Sequence, residues 1–282
     1  MSAVVGPGGS PGAGTTGVRL RAMRDEGRAA LIGYLPLGFP DVERSAEAAL
    51  AMVEAGVDVV ELGLPYTDPV MDGPTIQAAV DVSLNAGTRV RDVFGVVDRV
   101  SAAGAPTLVM TYWNPVLRYG VGAFARDLAA AGGAGLITPD LIPDEGADWI
   151  AAADEHDLDK VFLVAPSSTT ERLASTVAAS RGFVYAASTM GVTGERATVG
   201  SRAEALVADT RAAGADLVCV GLGVSTPQQA ADVARYADGV IVGSAFVRPL
   251  LGDTPWAERL EALQAVVRGI ADGVHGAREA SA

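Results

Sequence analysis

The chain has 282 residues, 49% hydrophobic and 20% charged, with 34 acidic against 21 basic side chains and a net charge of −13. That length suits one large domain, the composition excludes collagen-like repeats and disulfide scaffolds, and the negative charge argues against nucleic-acid or anionic-membrane surfaces, which need a cationic field. Cys219 is the single cysteine, so no intramolecular disulfide or cysteine cluster can form, and a cytoplasmic address with small molecules or proteins as partners is the default expectation.

Residues 1–18 are rich in Gly and Pro and lack the cationic start and apolar run of a signal peptide, so they read as a disordered tail. Within them Gly8-Gly9-Ser10-Pro11-Gly12 has the spacing of a nucleophile elbow but neither a strand before it nor a helix after it. Runs rich in Val, Ile and Leu then recur at 30–35, 58–62, 107–111, 135–138, 161–164, 183–186, 216–220 and 239–242. Between and after them, helical spacing is found near 43–56, 90–103, 121–132, 143–156, 169–180, 200–213, 226–236 and 256–273. Continuous rather than alternating apolarity suits parallel strands buried on both faces. Eight such units predict a single-domain (β/α)8 TIM barrel over residues 19–273, followed by a C-terminal tail at 274–282. An open doubly wound sheet would usually carry G-x-G-x-x-G after its first strand, whereas residues 33–40 read Gly-Tyr-Leu-Pro-Leu-Gly-Phe-Pro. No apolar stretch reaches the ~20 residues of a membrane span.

In a parallel barrel the loops leaving the strands build the active site. After the second predicted strand the chain reads VVELGLPYTDPVMDGPTIQ, residues 59–77. Glu61 lies inside an apolar strand, where a carboxylate either finds a partner or gains proton affinity; the first is a structural salt bridge, the second a general acid. Asp72, in the loop beyond the same strand end, is placed to share its cavity, and Asp68 is a third acid there. A buried neutral carboxyl and a better solvated ionised one can divide acid and base duties. Gly221-Leu222-Gly223-Val224-Ser225 and Gly243-Ser244-Ala245 leave the last two strands, a location that often cradles phosphate through main-chain N–H groups. After the sixth strand, Ser188 to Gly194 is uncharged and suits a mobile lid, and Tyr185 precedes it as either a core or a site residue. Lys160, the only lysine, stands at the wrong end of strand five for a Schiff base with substrate. His156 and His275 assemble neither a metal site nor a catalytic triad. Acid and base chemistry by carboxylates on a phosphorylated small molecule is what remains.

At these residues the sequence resembles a known family: ELGLPYTDPVMDGPTIQ at 61–77, STMGVTG at 188–194 and VGSAFV at 242–247 are similar to motifs of the tryptophan synthase α subunit, over about residues 19–273. The resemblance implies a (β/α)8 lyase that cleaves indole-3-glycerol phosphate into indole and glyceraldehyde 3-phosphate. It implies no metal and no cofactor in this subunit, with pyridoxal phosphate in a β subunit joined to it as an α2β2 heterotetramer. It further implies that Glu61 is the proton-transferring glutamate, Asp72 the second catalytic carboxylate and Tyr185 an active-site tyrosine. Gly194, Gly223, Gly243 and Ser244 fall at phosphate-binding positions, Thr193 at a lid threonine, and Pro65 and Asp68 in the loop that faces the β subunit. Tyr66-Thr67, Met71 and Gly38-Phe39-Pro40 depart from the commoner pattern, which bears on pocket shape and partner fit more than on chemistry. A stand-alone indole-releasing lyase and a non-catalytic, phosphate-ligand-binding activator of a partner are the alternative expectations.

Overall fold

The computed structural model describes residues 14–187, 196–221 and 223–278, with 196–200 described as backbone only. The chain runs α1 (Thr15–Asp25), β1 (Ala30–Pro36), α2 (Val42–Glu54), β2 (Val59–Gly63), α3 (Pro74–Asn85), α4 (Asp92–Ala102), β3 (Thr107–Met110), α5 (Trp113–Tyr119), α6 (Val121–Ala130) and β4 (Gly135–Ile137). It continues α7 (Ala147–Glu155), β5 (Asp159–Val161), β6 (Leu163–Val164), α8 (Thr170–Ala179), β7 (Val184–Ala187), α9 (Arg196–Ala212), β8 (Val218–Gly221), α10 (Pro227–Ala234), β9 (Gly239–Val242), α11 (Ser244–Val247) and α12 (Trp256–His275).

The named strands pair in parallel in the order β5-β4-β3-β2-β1-β9-β8-β7-β6. Because β5 and β6 are two halves of one segment, interrupted at Phe162, the two ends of that order meet and the sheet closes into the expected barrel. Every residue of β1, β2 and β9 is buried, as strands with helices outside and a filled interior require. Side chains alternate across a strand. Ala30 and Ile32 of β1, Val59 of β2, Leu108 of β3, Cys219 of β8 and Ile241 of β9 therefore form an inner apolar cluster, while the larger core lies between strands and helices.

Two boundaries need correction. The presumed tail through residue 18 overlaps α1, whose Leu20 and Met23 join the inner cluster and plug the barrel floor. Its start has no cap of its own; Asp159, at the start of β5, accepts the Thr16 backbone N–H at 2.8 Å. At the other end, residues 274–278 are not a free tail: Val274 and Ala277 are buried, and Arg278 donates to the Ala234 and Ala237 carbonyls. Residues 1–13, which include the elbow-like Gly8 to Gly12, lie outside the described residues.

Acidic side chains also staple the floor. Asp58 accepts the Leu31 N–H at 2.9 Å and pairs with Arg28 and His275, and Asp238 accepts the Val218 N–H at 2.9 Å and pairs with Arg211. These bonds tie adjacent strands where they enter the barrel, and they leave its other end free for chemistry.

Candidate active site

The alternation that fills the barrel with apolar side chains changes character at its last layer. The next inward positions are Tyr34 on β1, Glu61 on β2, Met110 on β3, Tyr185 and Ala187 on β7, Gly221 on β8, and Gly243 just past β9. These line one cavity of about 330 Å³ with Met71, Asp72, Gly73, Ile76, Gly223, Ile241 and Ser244. Six residues singled out from sequence, Glu61, Asp72, Tyr185, Gly223, Gly243 and Ser244, thus meet in one space. Thr193 and Gly194 lie outside the described residues. Pro65 and Asp68 do not line the cavity; Asp68 is exposed and accepts the Thr67 hydroxyl at 2.6 Å.

Glu61 is 1% exposed, and its Oε2 has no hydrogen-bond partner among the described residues. Burial, then the neighbouring Asp72, pushes its carboxyl from 4.5 up to about 8. The salt-bridge alternative is therefore set aside by the electrostatics, since what surrounds Glu61 favours its neutral form. Asp72 is half-buried, and burial raises it above its ordinary 3.8. It immediately precedes Gly73 and α3, whose free N–H groups favour negative charge nearby. The two carboxyls differ in solvation, one dry and one partly wet.

Two glycines in this layer are demanded by tyrosines. A methyl on Gly63 would collide with the Tyr34 hydroxyl, and one on Gly221 with the Tyr185 hydroxyl. Each phenol thus lies across an inward glycine of the next strand, and burial holds both well above 10, so they stay protonated. Gly223 has φ of 67°, a left-handed turn that glycine adopts without strain, and it leads through Val224 into α10. The helix starts as its sequence signals: Thr226 accepts the Gln229 N–H, Pro227 occupies the first turn, and Gln229 Oε1 accepts the Ser225 N–H at 3.0 Å.

Sequence reasoning missed Tyr34, Ile76, Met110 and Tyr112, and noticed Met71 only as a departure from the commoner pattern that bears on pocket shape. The period-2 pattern offered a signal for two of them, since Tyr34 shares parity with Ala30 and Ile32 on β1, and Met110 with Leu108 on β3. A second cavity of about 460 Å³ adjoins the first across Met71 and Ala187; Tyr112, Leu141, Leu163 and Arg172 are among its walls. No group of three His, Cys, Asp or Glu among the described residues is arranged to hold a metal. No described helix is long and apolar enough to cross a membrane.

A family model described as tryptophan synthase alpha chain matches residues 20–274. The chain belongs to the tryptophan synthase alpha chain family. It is 61% identical over 253 residues to the tryptophan synthase alpha chain of Mycobacterium marinum, covering 90% of this chain and 92% of that one. The Mycobacterium avium counterpart is 60% identical over 260 residues, covering 92% and 94%. Among solved structures, Mycobacterium tuberculosis tryptophan synthase superposes with a TM-score of 0.86 at 57% identity, covering 93% of this chain and 99% of that one. The chain accordingly has the alpha-subunit role in tryptophan biosynthesis, as a lyase that cleaves indole-3-glycerol phosphate.

Proposed function

We propose that cleavage proceeds by carboxylate acid and base chemistry at Glu61 and Asp72, with Tyr185 beside them and the phosphate held by the loops after β8 and β9. The observation that carries this reading is the pairing, in one cavity, of a glutamate raised to about 8 with a half-buried aspartate. Neutral Glu61 gives its proton to C3 of the indole ring, and ionised Asp72 stabilises the positive charge that reaches the ring nitrogen. Glu61, now ionised, is available to take the proton of the glycerol hydroxyl. The carbon–carbon bond then breaks, its electron pair returns to the ring to give indole, and the hydroxyl carbon becomes the aldehyde of glyceraldehyde 3-phosphate. The ring serves as its own electron sink, so the scheme needs no lysine.

The phosphate assignment rests on Gly223, Gly243 and Ser244, which border the same cavity, with Gly194 as a further donor and Thr193 as the lid residue. We assign pyridoxal phosphate to the β subunit rather than to this chain, and the cytoplasm as the place of work. The loop bearing Pro65 and Asp68 also carries Val70, 80% exposed. An apolar side chain presented to water on this face supports its use as the docking surface for the β subunit in an α2β2 assembly.

Indole release from indole-3-glycerol phosphate tests the reading. Glu61→Gln and Asp72→Asn should each slow turnover at least ~100-fold while substrate affinity persists. Wild-type turnover in both variants would end the assignment. Purified β subunit should raise the rate and shift the chain to a larger species in gel filtration; if it does neither, the stand-alone lyase is the better reading.

A further inference from the structure

The loop between β2 and α3, residues 64–73, has few holds of its own. Pro65 and Pro69 bring no N–H, and Val70 stands largely in water. What fixes its far end comes from the segment between β3 and α5. The Tyr112 hydroxyl accepts the Val70 N–H at 2.8 Å and the Met71 N–H at 3.0 Å, so one phenol oxygen satisfies two consecutive amides directly before Asp72. Its ring stacks on Tyr66 near the loop's start, with centroids 5.1 Å apart and planes at 30°. Tyr112 is itself 7% exposed and lies between β3 and α5, two residues past the strand's end; the next residue, Trp113, donates its N–H to Asp140 at 2.9 Å. The clamp is therefore built on the barrel wall, whereas the loop it holds is not. Beyond Asp72, Gln77 donates to the Asp72 carbonyl at 2.7 Å, and α3 fixes the remainder.

We infer that Tyr112 is the positioning residue for Asp72: by bridging two main-chain amides and stacking on Tyr66, it holds the loop so that the carboxylate faces the cavity that contains Glu61. The inference rests on the reading of Asp72 as a catalytic carboxylate. Tyr112 lines the larger cavity and not the catalytic one, so it acts through the loop rather than on the cleavage site. A displacement of about 1 Å at a reacting group can cost on the order of 100-fold in rate.

A double-mutant cycle on the full chain, read by indole release, tests it. Tyr112→Phe keeps the ring and its stacking but loses the acceptor. It should lower kcat roughly 10- to 100-fold, with KM within about threefold. Added to Asp72→Asn, it should cause no further loss, because the carboxylate it positions is gone. Hydrogen exchange supplies a second measurement, with the Val70 and Met71 amides exchanging at least ~10-fold faster in Tyr112→Phe while strand amides do not change. Wild-type kcat in Tyr112→Phe, losses that multiply in the double variant, or unchanged exchange at both amides would each overturn the inference. Wild-type turnover in Asp72→Asn would instead overturn the underlying reading, so the two failures are told apart.

Discussion

Replacing Glu61 by Gln should damage activity and improve stability, and the second effect should depend on pH in a calculable way. The carboxyl titrates at 4.5 in an ordinary setting and at about 8 in the folded chain. Below 4.5 both folded and unfolded chains carry it protonated, and it costs nothing. Between 4.5 and about 8 the unfolded chain gives up the proton and the folded one keeps it, so stability falls by about 1.4 kcal/mol per pH unit and levels off above the folded value. Glutamine has no proton to lose. The variant should therefore gain on the wild type by on the order of 3 kcal/mol between about pH 5 and about pH 8. Urea unfolding of both proteins at several pH values measures that gap. The same titration should appear in catalysis as a loss of wild-type kcat/KM near pH 8, where the proton donor of the free enzyme ionises. A gap that stays constant with pH, or a wild type more stable than the variant at pH 8, would refute the assignment of a neutral, unpaired Glu61.

Other expectations follow from neighbouring geometry. Gly221→Ala places a methyl where the Tyr185 hydroxyl lies, so the ring must turn out of its seat; indole release should fall about tenfold or more, and unchanged kcat/KM would remove Tyr185 from the site. On the floor, Asp58→Asn keeps an acceptor for Leu31 but loses the charge that pairs with Arg28 and His275. It should cost about 1–3 kcal/mol in urea unfolding near neutral pH. The Asp58 carboxyl is held below its usual 3.8 despite its burial, by hydrogen bonds from His275 and the Leu31 N–H and by the charges of His275 and Arg28. Its contribution is therefore present above 3.8 and lost as pH falls through the lower folded value. A deficit that persisted unchanged in acid would contradict this.

The strands were legible because burial on both faces writes itself as uninterrupted Val, Ile and Leu, and eight runs gave the eight positions of the barrel. The break at Phe162 was not legible, since it shows only in the pairing of β5 with β4 and of β6 with β7. Nor was α1: its capping carboxylate, Asp159, lies 143 residues away, and local start signals cannot report a partner at that distance. α3 begins after Gly73 without a side-chain cap, its one start signal being Pro74 at the first position, and α5 is seven residues long with Pro115 inside it, so both were faintly marked. In the site, Glu61 was visible because a carboxylate in an apolar strand violates the local rule. Tyr34 and Tyr112 violate nothing, since a buried tyrosine reads as core, and the amides that Tyr112 serves are 41 and 42 residues earlier in sequence.

The second strand shows why residue type alone does not fix a carboxyl's protonation state. Asp58 immediately precedes β2 and Glu61 lies within it, three positions on, both almost without solvent. The first is held below its ordinary value and the second is raised to about 8. Asp58 faces cations and a main-chain N–H, which stabilise its charge; Glu61 faces an open cavity and another carboxyl, which do not. The floor of the barrel thus gains cohesion from each acid it pairs, while the mouth gives up stability by leaving Glu61 Oε2 without a partner among the described residues. In the proposed chemistry, the proton on Glu61 is the one a ring carbon of the substrate takes. A salt bridge added at Glu61 would stabilise the fold and remove the acid, so the same change would strengthen the barrel and silence it.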